Sequence, residues 1–323
     1  MGIGKPLIAI LMAVYEPRLD WLEEQLISLN EQTYPNLWLY VRDDCSPTVP
    51  FEEIEALVEK YITAFPYSLE RNEENLGSNK TFERLTRGAE GDYYAYCDQD
   101  DVWLPEKLTV LQEEMERTGA LLVCSDMYII DGQGRQTADS ITKIRRHHVF
   151  YSGEGLARGL LFHNFVTGCT SLVQSREAKA AVPFCPCMVH DHYLALWCAE
   201  RGAVYSLRTP LISYRVHGNN QTGLLSGVAD RSSYEAVRIR GMLERLRWLD
   251  KNLPRSQELE RELQTALLWA QAREDNWQGR GGKAVIWKYR RYSLIPSLFE
   301  IFAAGMPEGL FRLALLAAKN NWI

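Results

Sequence analysis

The stretch Tyr94-Ala95-Tyr96-Cys97-Asp98-Gln99-Asp100-Asp101-Val102-Trp103 passes from an apolar run into three carboxylates within four residues. A short apolar and aromatic run bounded by polar residues has the pattern of a buried strand, so the acidic cluster falls where that strand ends. On its own the cluster has two readings. It is either a solvated loop or a divalent-cation site, because hard cations such as Mg²⁺ are held by one or two carboxylates together with the phosphates of a nucleotide.

The chain on either side narrows the choice. Pro6 to Val14 is strand-like, and Leu19 to Gln32 then places Leu22, Leu26 and Leu29 at helical spacing. Leu37 to Arg42 is again strand-like, and Phe51 to Ala64 is an amphipathic helix. A further cycle runs from Tyr67 through Asn75-Leu76-Gly77-Ser78-Asn79 to the strand at Tyr93–Cys97. Strands alternating with helices imply βαβ units, hence an α/β fold with a mostly parallel, Rossmann-like central sheet and helices on both faces. In open sheets of this kind ligands bind at the carboxyl ends of the strands, which is where the acidic cluster lies.

From Leu121 the pattern becomes mixed: Leu121 to Gly134 reads as strand, polar step, strand and turn, Val189 to Arg201 as a helix, and Val204 to Tyr214 as strands. Beyond Leu224 it is helical and holds no obvious chemical motif, so two regions are expected, 1–225 for the α/β domain and 226–323 for a helical region. The 323 residues, 46% hydrophobic and 24% charged, suffice for a real core and argue against extensive disorder. A net charge of −6 gives no general electrostatic reason to bind nucleic acid. Seven cysteines without regular spacing, among them Cys185-Pro-Cys187, read as reduced structural thiols rather than a disulfide framework or zinc site. The N-terminal apolar run ends at Glu16-Pro17 and reads as a strand, not a signal peptide. No window approaches about 20 apolar residues, the length of a spanning helix. A cytoplasmic protein, or one at the cytoplasmic face of the membrane, is expected.

Polar clusters fall at successive strand ends: Asp43-Asp44 after the second strand, Asn75 and Gly77 after the third, Asp98 to Asp101 after the fourth. An anionic nucleotide fits such a cleft only with a cation to offset its phosphates. In order, "ILMAVYEP", "SLNEQTYP", "VRDDCSP", "NLGSNKTF", "YCDQDDVW", "FVTGCTSLV", "VHDHYLALWCAERG" and "YRVHGNNQTG" span Ile10 to Gly223. Asp-x-Asp alone is a weak signal, but the ordered set resembles the family-2 inverting glycosyltransferases of GT-A fold, and within them the rhamnosyltransferase-like enzymes of bacterial polysaccharide synthesis.

The resemblance implies roles for matching positions. Ala13 and Tyr15, with Asp43 or Asp44, match positions that hold the base and ribose of a nucleotide sugar, and which aspartate meets the base stays open. Asn75, Gly77 and Asp98 border the same donor. Asp98 and Asp100 match the pair that binds Mg²⁺ or Mn²⁺, His217 a position that completes the metal shell, and Arg215 one that could meet phosphate bidentately. Asp191 matches the general base, which takes the proton of the acceptor hydroxyl as that oxygen attacks the anomeric carbon. It could also cap the helix that follows, and the two roles can coexist. Gly168, Cys169 and Thr170 resemble the loop beside the acceptor, with His192 and Tyr193 on the helix. The family commonly has tryptophan where this chain has His192-Tyr193, which loosens the inference about the acceptor. The basic stretch through Lys143, Arg145 and His147-His148 could steer an anionic donor or a lipid-linked acceptor.

The implied partners are a dTDP- or UDP-sugar, dTDP-L-rhamnose foremost, and a lipid-linked or growing glycan. A non-catalytic sugar-nucleotide-binding or scaffolding protein would be expected to lose Asp98, Asp100 and Asp191, yet all three are present. A nucleotidyltransferase would open with a glycine-rich basic loop after the first strand, and "MAVYEPRLD" has none. The basic, aromatic and apolar residues 285–323 leave three alternatives open: peripheral contact with an anionic leaflet, packing against the sheet, or a homodimer interface.

Overall fold

The computed structural model describes residues 4–145, 148–218 and 227–319. They fall into two compact units, one up to His217 and the other from Gly218. The boundary expected at 225/226 lies outside the described residues.

In the first unit the strands are β1 (Ile8–Val14), β2 (Leu37–Asp43), β3 (Tyr67–Arg71), β4 (Tyr93–Cys97), β5 (Val102–Trp103), β6 (Leu122–Ile130), β7 (Gln136–Ala138), β8 (Ser171–Gln174) and β9 (Val204–Arg215). They form one sheet in the order β3-β2-β1-β4-β8-β6-β9-β5, with β7 paired to β6. β1 lies between two parallel neighbours, Ile8 opposite both Leu37 of β2 and Tyr93 of β4. That central place explains why Ile8 to Met12 are all buried, whereas β2 alternates. Antiparallel pairing enters at β8, between β4 and β6, and at β5 against β9. The sheet is therefore mixed, parallel through its first four strands.

The helices are α1 (Leu19–Asn30), α2 (Phe51–Tyr61), α3 (Ser78–Gly88), α4 (Lys107–Thr118), α5 (Ala157–Leu160), α6 (Ser175–Ala180) and α7 (His190–Arg201). Leu22, Leu26 and Leu29 of α1 are buried in one cluster with Ile54 and Val58 of α2 and with Ile10, Met12 and Leu39 of the sheet. The helical spacing read in the sequence is thus the core-facing stripe.

Leu122 to Ile130 is one strand rather than two separated by a polar step. Its polar residues Ser125 and Asp126 stay buried because the Asp126 carboxylate accepts Met127 N–H at 2.7 Å and Ile141 N–H at 3.1 Å. The step survives only as shifts of register against β9 around Asp126.

The second unit holds α8 (Arg231–Tyr234), a π-helical turn over Glu235–Arg240, α9 (Gly241–Asn252), α10 (Gln257–Trp277), α11 (Lys283–Lys288), α12 (Leu294–Ala303) and α13 (Glu308–Lys319). Tyr234, Trp277 and Phe311 meet at centroid distances of 5.4–5.8 Å and anchor its core. Among the described residues no helix is long and apolar enough to cross a membrane.

Candidate active site

β4 ends in a turn whose three carboxylates point different ways. Asp101 is fully buried, accepts Arg215 N–H at 3.0 Å, and is thereby tied to the end of β9. Asp100 lies on the more open side, where His217 Nε2 is 2.6 Å from its Oδ2. Asp98 is pushed up to about 7 by burial first and by the charges of Asp100 and Asp191 next. Gln99 clasps the end of β1: Tyr15 N–H donates to its Oε1 at 2.7 Å and its amide donates to Tyr15 C=O at 3.0 Å.

Beneath the turn sits Lys107, fully buried, with Nζ donating to Cys169 C=O at 2.5 Å and lying 3.0 Å from the Trp103 ring centroid. Burial brings its ammonium down to about 7 against the opposing pull of Asp101 and Asp98. A lysine in such a place costs desolvation that nearby carboxylates offset. It joins the acidic turn to the Gly168–Thr170 segment.

That segment faces the start of α7. Gly168 N–H donates to Asp191 Oδ2 at 2.9 Å, and Asn164 Nδ2 to Oδ1 at 3.1 Å. Burial raises the Asp191 carboxyl to about 6, while these bonds, one from His192 N–H and the charge of Arg145 pull it down. The N-cap of α7 is Val189, so Asp191 stands in the first turn with its oxygens turned to the facing loop. A carboxylate held there by two loop donors is oriented, half-desolvated and near neutrality in its titration, the properties a general base requires. Gly168 has no room for a side chain: a Cβ would lie 2.8 Å from His190 Nε2. The His190 ring cannot easily give way, since it lies 4.2 Å from Phe82 and 4.9 Å from Tyr96 between centroids.

The ends of β1 and β2 lie on the same edge of the sheet as the end of β4. Ala13 is partly exposed and Tyr15 is 43% exposed. Asp44 accepts Asn72 Nδ2 at 2.8 Å, Leu76 N–H at 2.9 Å and Gly77 N–H at 2.8 Å. Gly77, at φ 81°, and the exposed Asn75, whose Oδ1 accepts Gly77 N–H at 3.0 Å, form the turn into α3. The positive φ is why glycine stands there. Asp43 accepts Ser46 Oγ at 2.6 Å and pairs with Arg71 at 3.2 Å.

A model of Glycosyl transferase family 2 matches residues 9–176, from β1 through β8 and into α6. The chain belongs to this family. It is 26% identical over 223 residues to TuaG of Bacillus subtilis, named for teichuronic acid biosynthesis, covering 67% of this chain and 81% of that protein. It is 24% identical over 233 residues to the dTDP-rhamnosyl transferase RfbG of Shigella flexneri, covering 67% and 75%. Among solved structures, S. aureus TarS 1-349 in complex with UDP-GlcNAc superposes with a TM-score of 0.57 at 14% identity, over 97% of this chain and 92% of TarS. The mannosyltransferase PcManGT of Pyrobaculum calidifontis, in complex with GDP-Man and Mn²⁺, gives 0.57 at 15%, over 98% and 83%. The protein is thus a glycosyltransferase of GT-A-like fold.

Within this glycosyltransferase, several expected contacts are placed otherwise. Arg215 is 0% exposed: its Nε donates to Asp100 C=O at 2.8 Å, its Nη1 to Asp131 C=O at 3.3 Å, and its Nη2 pairs with Glu24. It braces the acidic turn instead of presenting a fork to phosphate. Cys169 and Thr170 are buried, the threonine donating to Thr167 C=O at 2.8 Å. His192 Nε2 lies 2.7 Å from Leu160 C=O, and Tyr193 packs between Phe184 and Trp197. All four are buried, and these partners lie within the loop, in α7 and in the segments packed against them. For His192 and Tyr193 the reason is helical geometry, since neighbours of Asp191 in sequence point to other faces of α7. His148 is described and His147 is not.

Asp98, Asp101 and Cys169 bring possible metal-ligand atoms within 4.8 Å of one another. The thiol there is pushed well up by burial, and a soft sulfur beside a buried lysine suits a hard cation poorly. Asp98 and Asp100 offer the carboxylate oxygens that Mg²⁺ or Mn²⁺ accept, and crowded carboxylates of this kind fit a cation that relieves their repulsion; the imidazole of His217, 2.6 Å from Asp100 Oδ2, suits Mn²⁺ better than the harder Mg²⁺. Trp21 of α1, 4.9 Å from the His217 ring and hydrogen-bonded to Gly132 C=O, supports that histidine. Gln99, Lys107, Asn164 and Trp21 escaped the sequence reading, since each works through a contact distant in sequence.

Proposed function

We propose that this glycosyltransferase moves a sugar, foremost L-rhamnose from dTDP-L-rhamnose, onto a lipid-linked or growing cell-surface glycan, with inversion at the anomeric carbon and with Mg²⁺ or Mn²⁺. The observation that carries this reading is a single loop-held carboxylate, Asp191, raised to about 6 and close enough to Asp98 to shift its titration. One base suffices for a direct displacement; a covalent intermediate would need a second carboxylate placed as nucleophile. A bound Mg²⁺ or Mn²⁺ supplies neutralisation of the charge that gathers on the departing diphosphate.

Asp98, Asp100 and His217 would hold the ion. Ala13 and Tyr15 would border the nucleoside, while Asp43 and Asp44 hold the loops that frame it. Asp191 Oδ takes the proton of the acceptor hydroxyl as its oxygen bonds to the anomeric carbon and the bond to the diphosphate oxygen breaks. Gly168 N–H and Asn164 keep the carboxylate aimed through the transfer. Support for rhamnose comes from the sequence resemblance and from the 24% identical dTDP-rhamnosyl transferase.

A thermal-melt panel of nucleotide sugars tests the reading, since a ligand that binds only the native state raises its melting temperature by mass action. With Mn²⁺ a thymidine or uridine diphosphate sugar, dTDP-L-rhamnose most, raises Tm, and EDTA removes the shift. Silence from every such donor would favour a non-catalytic scaffold.

A further inference from the structure

α12 is built inside out. Its inward residues are Ser297, Glu300 and Ala303, while Leu294, Ile295 and Phe302 are 53%, 75% and 74% exposed. Buried bonds fix this orientation. Glu300 accepts Arg273 Nε at 2.6 Å and Nη2 at 2.5 Å and the Tyr234 hydroxyl at 2.9 Å, and Trp269 Nε1 donates to Ser297 Oγ at 3.2 Å. Rolling the helix to hide its apolar side would strand a buried guanidinium, which is costly. α13 repeats the exposure with Leu310 and Leu313, although Phe311 and Leu315 are buried. Trp287 of α11 is exposed too, with the Arg290 guanidinium 4.3 Å from its ring centroid.

Charge decides what covers such a surface. Residues 280–323 carry seven Lys or Arg against two Asp or Glu, a net charge of +5, in a chain whose total is −6. One of the two acids is Glu300, already buried against Arg273. Lys283 and Lys288 are exposed, while Arg280, Arg291 and Arg312 pair with Asp275, Glu262 and Glu308. In a two-fold dimer the same patch meets itself, so like charges would oppose one another. An anionic leaflet attracts them, and tryptophan beside arginine suits the depth of the headgroups.

We propose that the exposed apolar side chains of α12 and α13, with Trp287 and the basic residues around it in sequence, insert into the interfacial layer of an anionic lipid bilayer. This binding is independent of the sugar donor and requires no spanning helix.

Flotation of the full chain with vesicles tests it. The protein rises with phosphatidylcholine vesicles that contain phosphatidylglycerol, rises far less with phosphatidylcholine alone, and is released by salt. Ile295→Gln with Phe302→Gln lowers the partition at least about tenfold, the loss of two apolar anchors. Lys288→Ala lowers it about fivefold. Tm stays unchanged in these variants, because the side chains are exposed. Absence of binding to anionic vesicles overturns the proposal. So does a concentration-dependent dimer that the double variant dissociates while vesicles leave it unbound, which would assign the face to a second copy of the chain.

Discussion

At the scale of single residues the decisive group is Asp191. Burial holds its carboxyl up at about 6, and the Gly168, His192 and Asn164 donors together with Arg145 restrain the shift. A base must be deprotonated to act, so kcat/KM should rise with pH through about 6 and level off above it. Asn164→Ala removes a donor that favours the charged form, so the acid limb should move to higher pH, by roughly half to one unit. Asn164→Asp sets a negative charge against Asp191 and should move it further. A pH–rate profile of the three proteins measures this, and an unmoved limb would detach Asp191 from the base role. Asn164 sits in no motif and is exposed, which is why only its folded position reveals it.

At the scale of elements, the fit between α7 and the Gly168–Thr170 turn sets the site. Gly168→Ala would press a methyl onto His190, wedged between Phe82 and Tyr96. Overpacking of this kind typically costs about 1–3 kcal/mol, and here it also shifts the N–H that aims Asp191. We expect a lower Tm and a lower kcat with donor affinity kept, and His190→Ala added to Gly168→Ala should restore part of both. Unchanged kcat in the single variant would show that the close approach is dispensable. The elements themselves are largely legible: short apolar runs mark β1, β2 and β4 and helical spacing marks α1 and α2, because each buries apolar residues in the core. β6 departs from the two-strand pattern of its sequence, because Asp126, which looks like a break, accepts the Met127 and Ile141 N–H groups inside one strand. His192 and Tyr193 follow Asp191 in sequence but point to other faces of α7, the histidine toward Leu160 C=O and the tyrosine toward Phe184 and Trp197.

At the scale of the whole molecule, the order of short words along the chain carried the family, while the roles within the site depended on contacts across it. Arg215 shows the difference: its place in "YRVH" suggested phosphate, yet its donors go to Asp100 C=O, Asp131 C=O and Glu24. Lys107 likewise connects the acidic turn with the Asp191 loop through Cys169, a link between residues 62 apart in sequence. These parts converge on one proton transfer. Its most direct test is the turnover of Asp191→Asn, read as release of nucleoside diphosphate from the donor identified by thermal melt, beside the donor's Kd. The amide is nearly isosteric and cannot take the proton, so kcat should fall by at least about two orders of magnitude while Kd is kept. Near-normal turnover in this variant would mean that the proton leaves by another group, and would contradict the account at its centre.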